Sequence, residues 1–313
     1  TDNGDGTYTA TVTNTVAESV TISGTLDGAA ITDTATVTFT VGAADPTNGN
    51  TTLVAAPTSV VADGSTTSSV TVTLADASGN LLTASGGTVA LSSTGSATIG
   101  AVTDNGNGTY TATVTNTVAE SVTISGTLDG AAITDTATIT FTVGAADPTN
   151  GNTTLVAAPT SVVADGATTS SVTVTLADAN GNLLTASGGT VALSSTGSAT
   201  IGAVTDNGNG TYTATVTNTV AESVTISGTL DGAAITDTAT ITFTVGAADP
   251  TNGNTTLVAA PTSVVADGAT TSSVTVTLAD ASGNLLTASG GTVALSSTCL
   301  LYTSPSPRDS LSS

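Results

Sequence analysis

The sequence predicts an all-β chain built as tandem β-sandwiches, beads on a string, and three observations carry that prediction. The run GTYTATVTNTVAESVTISGTLDGAAITDTAT starts at Gly6, again at Gly108 and again at Gly210, a spacing of 102 residues. A period that long gives each copy its own core, unlike a solenoid whose short turns share one. Apolar residues alternate with Thr and Ser at period two, the spacing of a strand with one buried face. Gly, Asn and Asp clusters interrupt these runs at about every eight to twelve residues, and helical periodicity is missing.

The elements follow in order along one copy. Val70, Val72 and Leu74 alternate with Ser and Thr in SVTVTLA, so one face of that strand is apolar and the other hydroxylated. Val89 and Leu91 mark a further strand, and Tyr110, Ala112 and Val114 the next. Ser121 to Leu128 and Ala131 to Val143 read as a hairpin closed by Asp129-Gly130, a dipeptide that accepts the positive φ of a type I′ turn. That turn pairs Leu128 with Ala131, Gly126 with Ile133 and Val122 with Ala137. The apolar sets of the two strands then agree. One residue breaks the pattern: Asp135, with Asp33 and Asp237 in phase, falls on the apolar face opposite Ile124. A bulge that rotates it out, or a rim position where water, a backbone donor or a cation satisfies it, would resolve the conflict.

About seven strands in roughly 90 residues describe an immunoglobulin-like sandwich. The expected organisation is the C-terminal half of a repeat over 1–41, a linker over 42–51 and a complete domain over 52–143. A linker over 144–153, a second complete domain over 154–245 and a linker over 246–255 follow. The N-terminal half of another repeat then occupies 256–298. The linker GAADPTNGN carries Pro46, Pro148 and Pro250, which restrict the backbone between flexible Gly and Asn residues.

At Thr298 the third copy breaks off and CLLYTSPSPRDSLSS follows, with the only Cys (Cys299), the only Arg (Arg308) and the fourth Tyr (Tyr302) of the chain. Residues 299–309 resemble the in-frame translation of a sequencing-library adapter, so 299–313 reads as a non-native tail that carries no functional weight. With its start in mid-repeat, the chain is expected to be an internal segment of a longer protein.

Twenty-three acidic residues against one basic residue, with no histidine, give a net charge of −22. Such a surface repels nucleic acid and anionic lipid, and neither is expected as a partner. No apolar run approaches the roughly 18 to 20 residues of a membrane helix. Absence of Cys, Lys and Arg from the repeats suits an extracellular setting.

In order and spacing the repeat resembles the group 1 bacterial immunoglobulin-like domains of the invasin and intimin adhesins. The matching pieces are TTLVAAPTSVVADGSTTSSVTVTLADASGN from Thr51 to Asn80, GGTVAL after it, DNGNGTYTATVT from Asp104 to Thr115 and TATITFTV from Thr136 to Val143. The resemblance implies a stalk on the bacterial surface, anchored to the outer membrane through regions outside this segment. It would hold away from the cell an adhesive tip that meets a host or surface receptor. Neither a membrane barrel nor a lectin-like tip lies in this sequence, so the repeats' own partners would be their neighbours in the chain.

Catalysis is not expected. Without His or Lys the Ser and Thr hydroxyls lack a general base, and a carboxylate pair would recur in every copy within turn-like contexts. No organic cofactor is implied. Calcium is the sharper alternative: Asp104, Asn105 and Asn107 (with Asp2, Asn3 and Asp5 before them) cluster oxygen ligands, Asp135 is an acid on an apolar face, and Asp147 stands at a linker. The same Asn-Gly and Asp-Gly pairs are what hairpin turns require, and no bidentate acid completes a ligand set. The turn reading comes first. Calcium-stiffened extender or ligand-binding repeats of a large secreted adhesin remain the alternative. Ligand binding by the repeats themselves finds little support, since each has one Tyr, one Phe and no Trp or Arg.

Overall fold

The computed structural model describes residues 1–298, and the unusual stretch containing Cys299, Tyr302 and Arg308 lies outside them. All regular structure among the described residues is β. In the first complete repeat, Thr52–Ala56, Ser68–Thr73, Thr109–Thr115 and the short Thr98–Ile99 and Thr103–Asp104 form one five-stranded sheet. Ser59–Val61, Val89–Ser93, Ser121–Leu128, Ala131–Ala132 and Ala137–Thr142 form the other. Seven of these strands exceed two residues. Pairing is antiparallel throughout, except that Ser59–Val61 runs parallel to Ala137–Thr142. The chain changes sheets at Pro57, which has no N–H to continue a ladder. The second complete repeat copies this arrangement, with sheets drawn from Thr154–Ala158 through Ala239–Thr244.

Period-two alternation puts one side of each sheet into the interior. Val70, Val72, Val114, Val122, Ile124, Ile139 and Phe141 are buried together, and burial of each aliphatic or aromatic side chain contributes about 1.5–3 kcal/mol. Val172, Val174, Val216, Val224, Ile226, Ile241 and Phe243 repeat the cluster. Each cluster is made wholly of residues from one repeat. The buried Ser68 hydroxyl donates to the Pro57 carbonyl at 2.7 Å. Among the described residues no buried side-chain nitrogen or oxygen lacks a hydrogen-bond partner.

At the Asp129-Gly130 turn both residues take positive φ, 49° and 86°, as a type I′ hairpin requires. Leu128 pairs with Ala131, and the Ile133 N–H donates to the Gly126 carbonyl at 2.9 Å, in the expected register. Beyond Ile133 the register differs from the sequence expectation. Val122 faces Ile139 instead of Ala137, and Ile124 faces Ala137 instead of Asp135. Residues 133–136 leave the ladder, and the hairpin resumes two residues later. A bulge of this kind keeps Ile139 and Phe141 inward while turning the acid away from Ile124.

The half repeats show what a strand needs. Thr7–Thr13, 263–265 and 293–297 correspond to strands of the complete repeats, yet form no ladder here. In a complete sandwich their hydrogen-bond partners come from the other half of the same repeat. Tyr8 is accordingly 71% exposed where Tyr110 is 3% exposed, and Leu257 is 61% exposed where Leu155 is 2% exposed.

Candidate functional site

Acidic and amide side chains dominate the polar chemistry of the fold, so the candidate sites are those where several converge. The segment Asp104 to Gly108 closes the hairpin in which Thr103 and Asp104 pair with Thr111 and Tyr110. Asp104 Oδ1 accepts from the Gly106 N–H at 2.8 Å. Asn105 Nδ2 donates to Thr109 Oγ1 at 2.9 Å. Asn107 Oδ1 accepts from the Thr109 N–H at 3.1 Å and its hydroxyl at 2.7 Å. Each side chain thus bonds backbone or hydroxyl two to four residues on, the Asx geometry that nucleates turns. In the preceding half repeat, Asp2 Oδ1 accepts from Gly4 N–H and Asp5 Oδ1 from Thr7 in the same manner. Hydrogen bonds from the Ser85 hydroxyl and the Gly106 N–H hold the Asp104 carboxyl below its ordinary value.

Asp147 Oδ1 accepts from the Thr149 N–H at 2.8 Å and its hydroxyl at 2.7 Å, which lowers its pKa. Asp135 has a different role. Its Oδ2 accepts from the buried Leu53 N–H at 2.8 Å, eighty-two residues away, and its Oδ1 from the Thr136 N–H. Asp237 repeats the contact with Leu155 at 2.9 Å. Of the alternatives open for this acid, bulge and backbone donor are both realised. Among the described residues no three Asp, Glu or Cys side chains are grouped as a metal site.

The sequence reading passed over a denser constellation at Asp76 and Asn80. Asp76 is buried, 6% exposed. Its Oδ1 accepts from the Ser78 and Asn80 N–H groups, each at 2.9 Å. Its Oδ2 accepts from the Gly42 N–H at 2.8 Å and from Asn80 Nδ2 at 2.9 Å. Asn80 reaches further, into the preceding half repeat: Nδ2 donates to the Thr15 carbonyl at 3.0 Å, and Oδ1 accepts from the Ala17 N–H at 2.9 Å. The Asn80 amide and the Gly42 N–H hold the Asp76 carboxyl at about 2, against the upward pull of burial.

Two features shape the other side of this contact. The Thr15–Ala17 loop is braced by Asn14, whose Nδ2 donates to Glu18 Oε1 and whose Oδ1 accepts from the Val16 N–H. The linker is pinned as well, with the Asp45 N–H donating to the Ala75 carbonyl at 2.8 Å and the Thr51 hydroxyl donating to the Asp45 carbonyl at 2.9 Å. The arrangement recurs between the second complete repeat and the segment after it. Ala221 N–H donates to Asn284 Oδ1 at 2.7 Å, Asn284 Nδ2 donates to the Thr219 carbonyl at 3.0 Å, and Gly246 N–H donates to Asp280 Oδ2 at 2.8 Å. Burial raises the Asp280 pKa, but the Asn284 amide and the N–H groups of Gly246, Asn284 and Ser282 outweigh it and leave it lowered. Only the sequence position of Asn80 after Asp-Ala-Ser-Gly could have flagged it, and that signal is also what an ordinary turn gives.

The family model of invasin domain 3 matches residues 47–144, 149–246 and 251–306. The chain belongs to the invasin domain 3 family. Its repeats are thus immunoglobulin-like domains of the invasin and intimin type, as the sequence resemblance implied, in a segment of a bacterial adhesin. Among solved structures, InvD of Yersinia pseudotuberculosis is 30% identical, with a TM-score of 0.50, covering 77% of this chain and 73% of that one. The Escherichia coli adhesin FdeC is 27% identical, with a TM-score of 0.50, covering 78% and 77%. Invasin, an integrin-binding protein, is 27% identical with a TM-score of 0.47. The match covers 75% of this chain and 48% of invasin, so this chain spans about half the length of that relative. A search of curated proteins found no match.

Proposed function

We propose that these invasin domain 3 repeats are a non-enzymatic stalk segment of a bacterial surface adhesin, each repeat an autonomous bead whose job is to add length. One observation carries this reading: two copies bury equivalent hydrophobic clusters, each closed within its own repeat, and spend their polar side chains on turns and on contacts to adjoining sequence. Asp and Asn side chains at the turns already accept hydrogen bonds from their own loops, so the reading does not call on calcium for stiffness. Receptor recognition belongs to a tip outside this segment. Anchorage in the outer membrane likewise belongs to sequence outside it.

The test is a length series. Strands of about seven residues at about 3.3 Å each make a bead at least ~23 Å long. Inserting one further 102-residue copy after Val245 is expected to lengthen the contour seen by atomic force microscopy by at least that much. The chain alone is expected to bind neither epithelial cells nor a glycan array. Unchanged contour length, or saturable binding by the repeats, would overturn the reading.

A further inference from the structure

The pair Asp76 and Asn80 ties the linker and the preceding half repeat to the first complete repeat through hydrogen bonds. A buried carboxylate normally needs a positive partner, and this chain has one basic residue, Arg308, outside the described structure. Asp76 instead collects four donors, and one of them, the Gly42 N–H, belongs to the linker. Asn80 then spends both amide hydrogens and its oxygen. One hydrogen points back to Asp76, and the other goes to the Thr15 carbonyl of the preceding half repeat. The oxygen takes the Ala17 N–H. Only one orientation of the amide satisfies all three contacts, so the side chain reads the loop of the preceding repeat as a donor–acceptor pair. The contact is repeated atom for atom by Asp280, Asn284, Gly246, Thr219 and Ala221.

We infer that Asp76–Asn80 and Asp280–Asn284 are hydrogen-bonded locks that fix one repeat against the loop of the repeat before it. Three features make the lock directional. The receiving loop is pre-braced by Asn14 and Glu18, the linker is drawn in through Gly42, and the carboxylate holding the asparagine is shielded from water. The inference deepens the stalk reading, because a stalk transmits reach only where its joints resist bending.

The experiment uses the full chain with Asn80→Asp and Asn284→Asp, which keep side-chain volume but replace the donating amide with a carboxylate facing Asp76, Thr15 and their counterparts. Amide hydrogen exchange is followed by NMR. The Ala17, Gly42, Ala221 and Gly246 amides are expected to exchange at least tenfold faster in the variant, while Val72 and Ile124 in the core keep their parent rates. Equal rates at the four joint amides would overturn the lock. Equal acceleration in the core would overturn it too, by showing that these residues serve the sandwich and not the joint. Should the aspartate variant fail to fold, Asn80→Ala with Asn284→Ala removes the bridge without adding charge and is read on the same amides. Addition of a chelator to the parent chain is expected to leave all four rates unchanged, and acceleration there would mean that a cation holds the joint instead. Failure of the stalk reading shows separately, in the length series and the binding assays, neither of which depends on joint stiffness.

Discussion

Asp135 is the residue whose sequence pattern and structural role diverge most, and the divergence is informative. Read as a strand residue it sits on the apolar face; in the structure it is the acceptor for Leu53 N–H at the edge of the opposite sheet. Leu53 is 2% exposed, so removing that acceptor leaves a buried donor unpaired. Asp135→Ala with Asp237→Ala is expected to cost about 1–3 kcal/mol per repeat in urea unfolding, and Asp135→Asn, which retains an acceptor oxygen, markedly less. A second residue-scale expectation concerns acid. Asp76 is held at about 2 by the Asn80 amide and the Gly42 N–H, and Asp165 at about 2 by the Thr168 hydroxyl and N–H. Folded values below the unfolded value of about 3.9 mean that these groups stabilise fully above that pH and lose their contribution as pH falls through about 2. With no histidine in the chain, the melting temperature is expected to stay level between about pH 5 and 8 and to drop between about 4 and 2. A fall already evident at pH 6 would contradict the assignment.

At the scale of elements, turn chemistry was legible and its exceptions were not. Asp129-Gly130 announces a type I′ turn because both residues tolerate positive φ, and the first three pairs beyond it follow. The two-residue slip between Ile133 and Ala137 leaves no trace in the alternation, since an even shift returns every side chain to the same face. With the slip in place Asp135 accepts from the Leu53 N–H of the opposite sheet, a partner that alternation along the strand does not record. The turn at Asn105 to Gly108 carries two further expectations. Gly108 has φ of 84° and a Cβ there would collide with the Leu82 carbonyl, so Gly108→Ala should cost about 2 kcal/mol or more in thermal unfolding, beyond positive φ alone. Because Asp104 and Asn107 are engaged within their own turn, the melting temperature should be the same in millimolar calcium and in chelator. A rise of several degrees with calcium would be bound metal stabilising the fold by mass action.

Across the whole molecule, charge and exposed apolar surface pull in opposite directions. A net charge of −22 keeps copies of the chain apart, while the half repeats expose Tyr8, Leu26, Ile31, Leu257 and Val264, whose equivalents lie buried wherever a sandwich is complete. Sedimentation of this 313-residue polypeptide should therefore show mass rising with concentration, and more steeply as salt screens the repulsion. Tyr8→Asp with Leu257→Asp should abolish that rise, and a rise that persisted would place the association elsewhere.

The sequence by itself determined the period, the all-β class, the inward and outward faces of each strand and the major turns. All of these are local or periodic properties that composition and spacing express directly. Tertiary structure alone decided the partner of Asp135, the slipped half of the hairpin and the use of Asn80 as a bridge to the preceding repeat. Each of those depends on a donor or acceptor placed by the fold up to eighty-two residues away, and no pattern along the chain records which distant backbone group a side chain will meet.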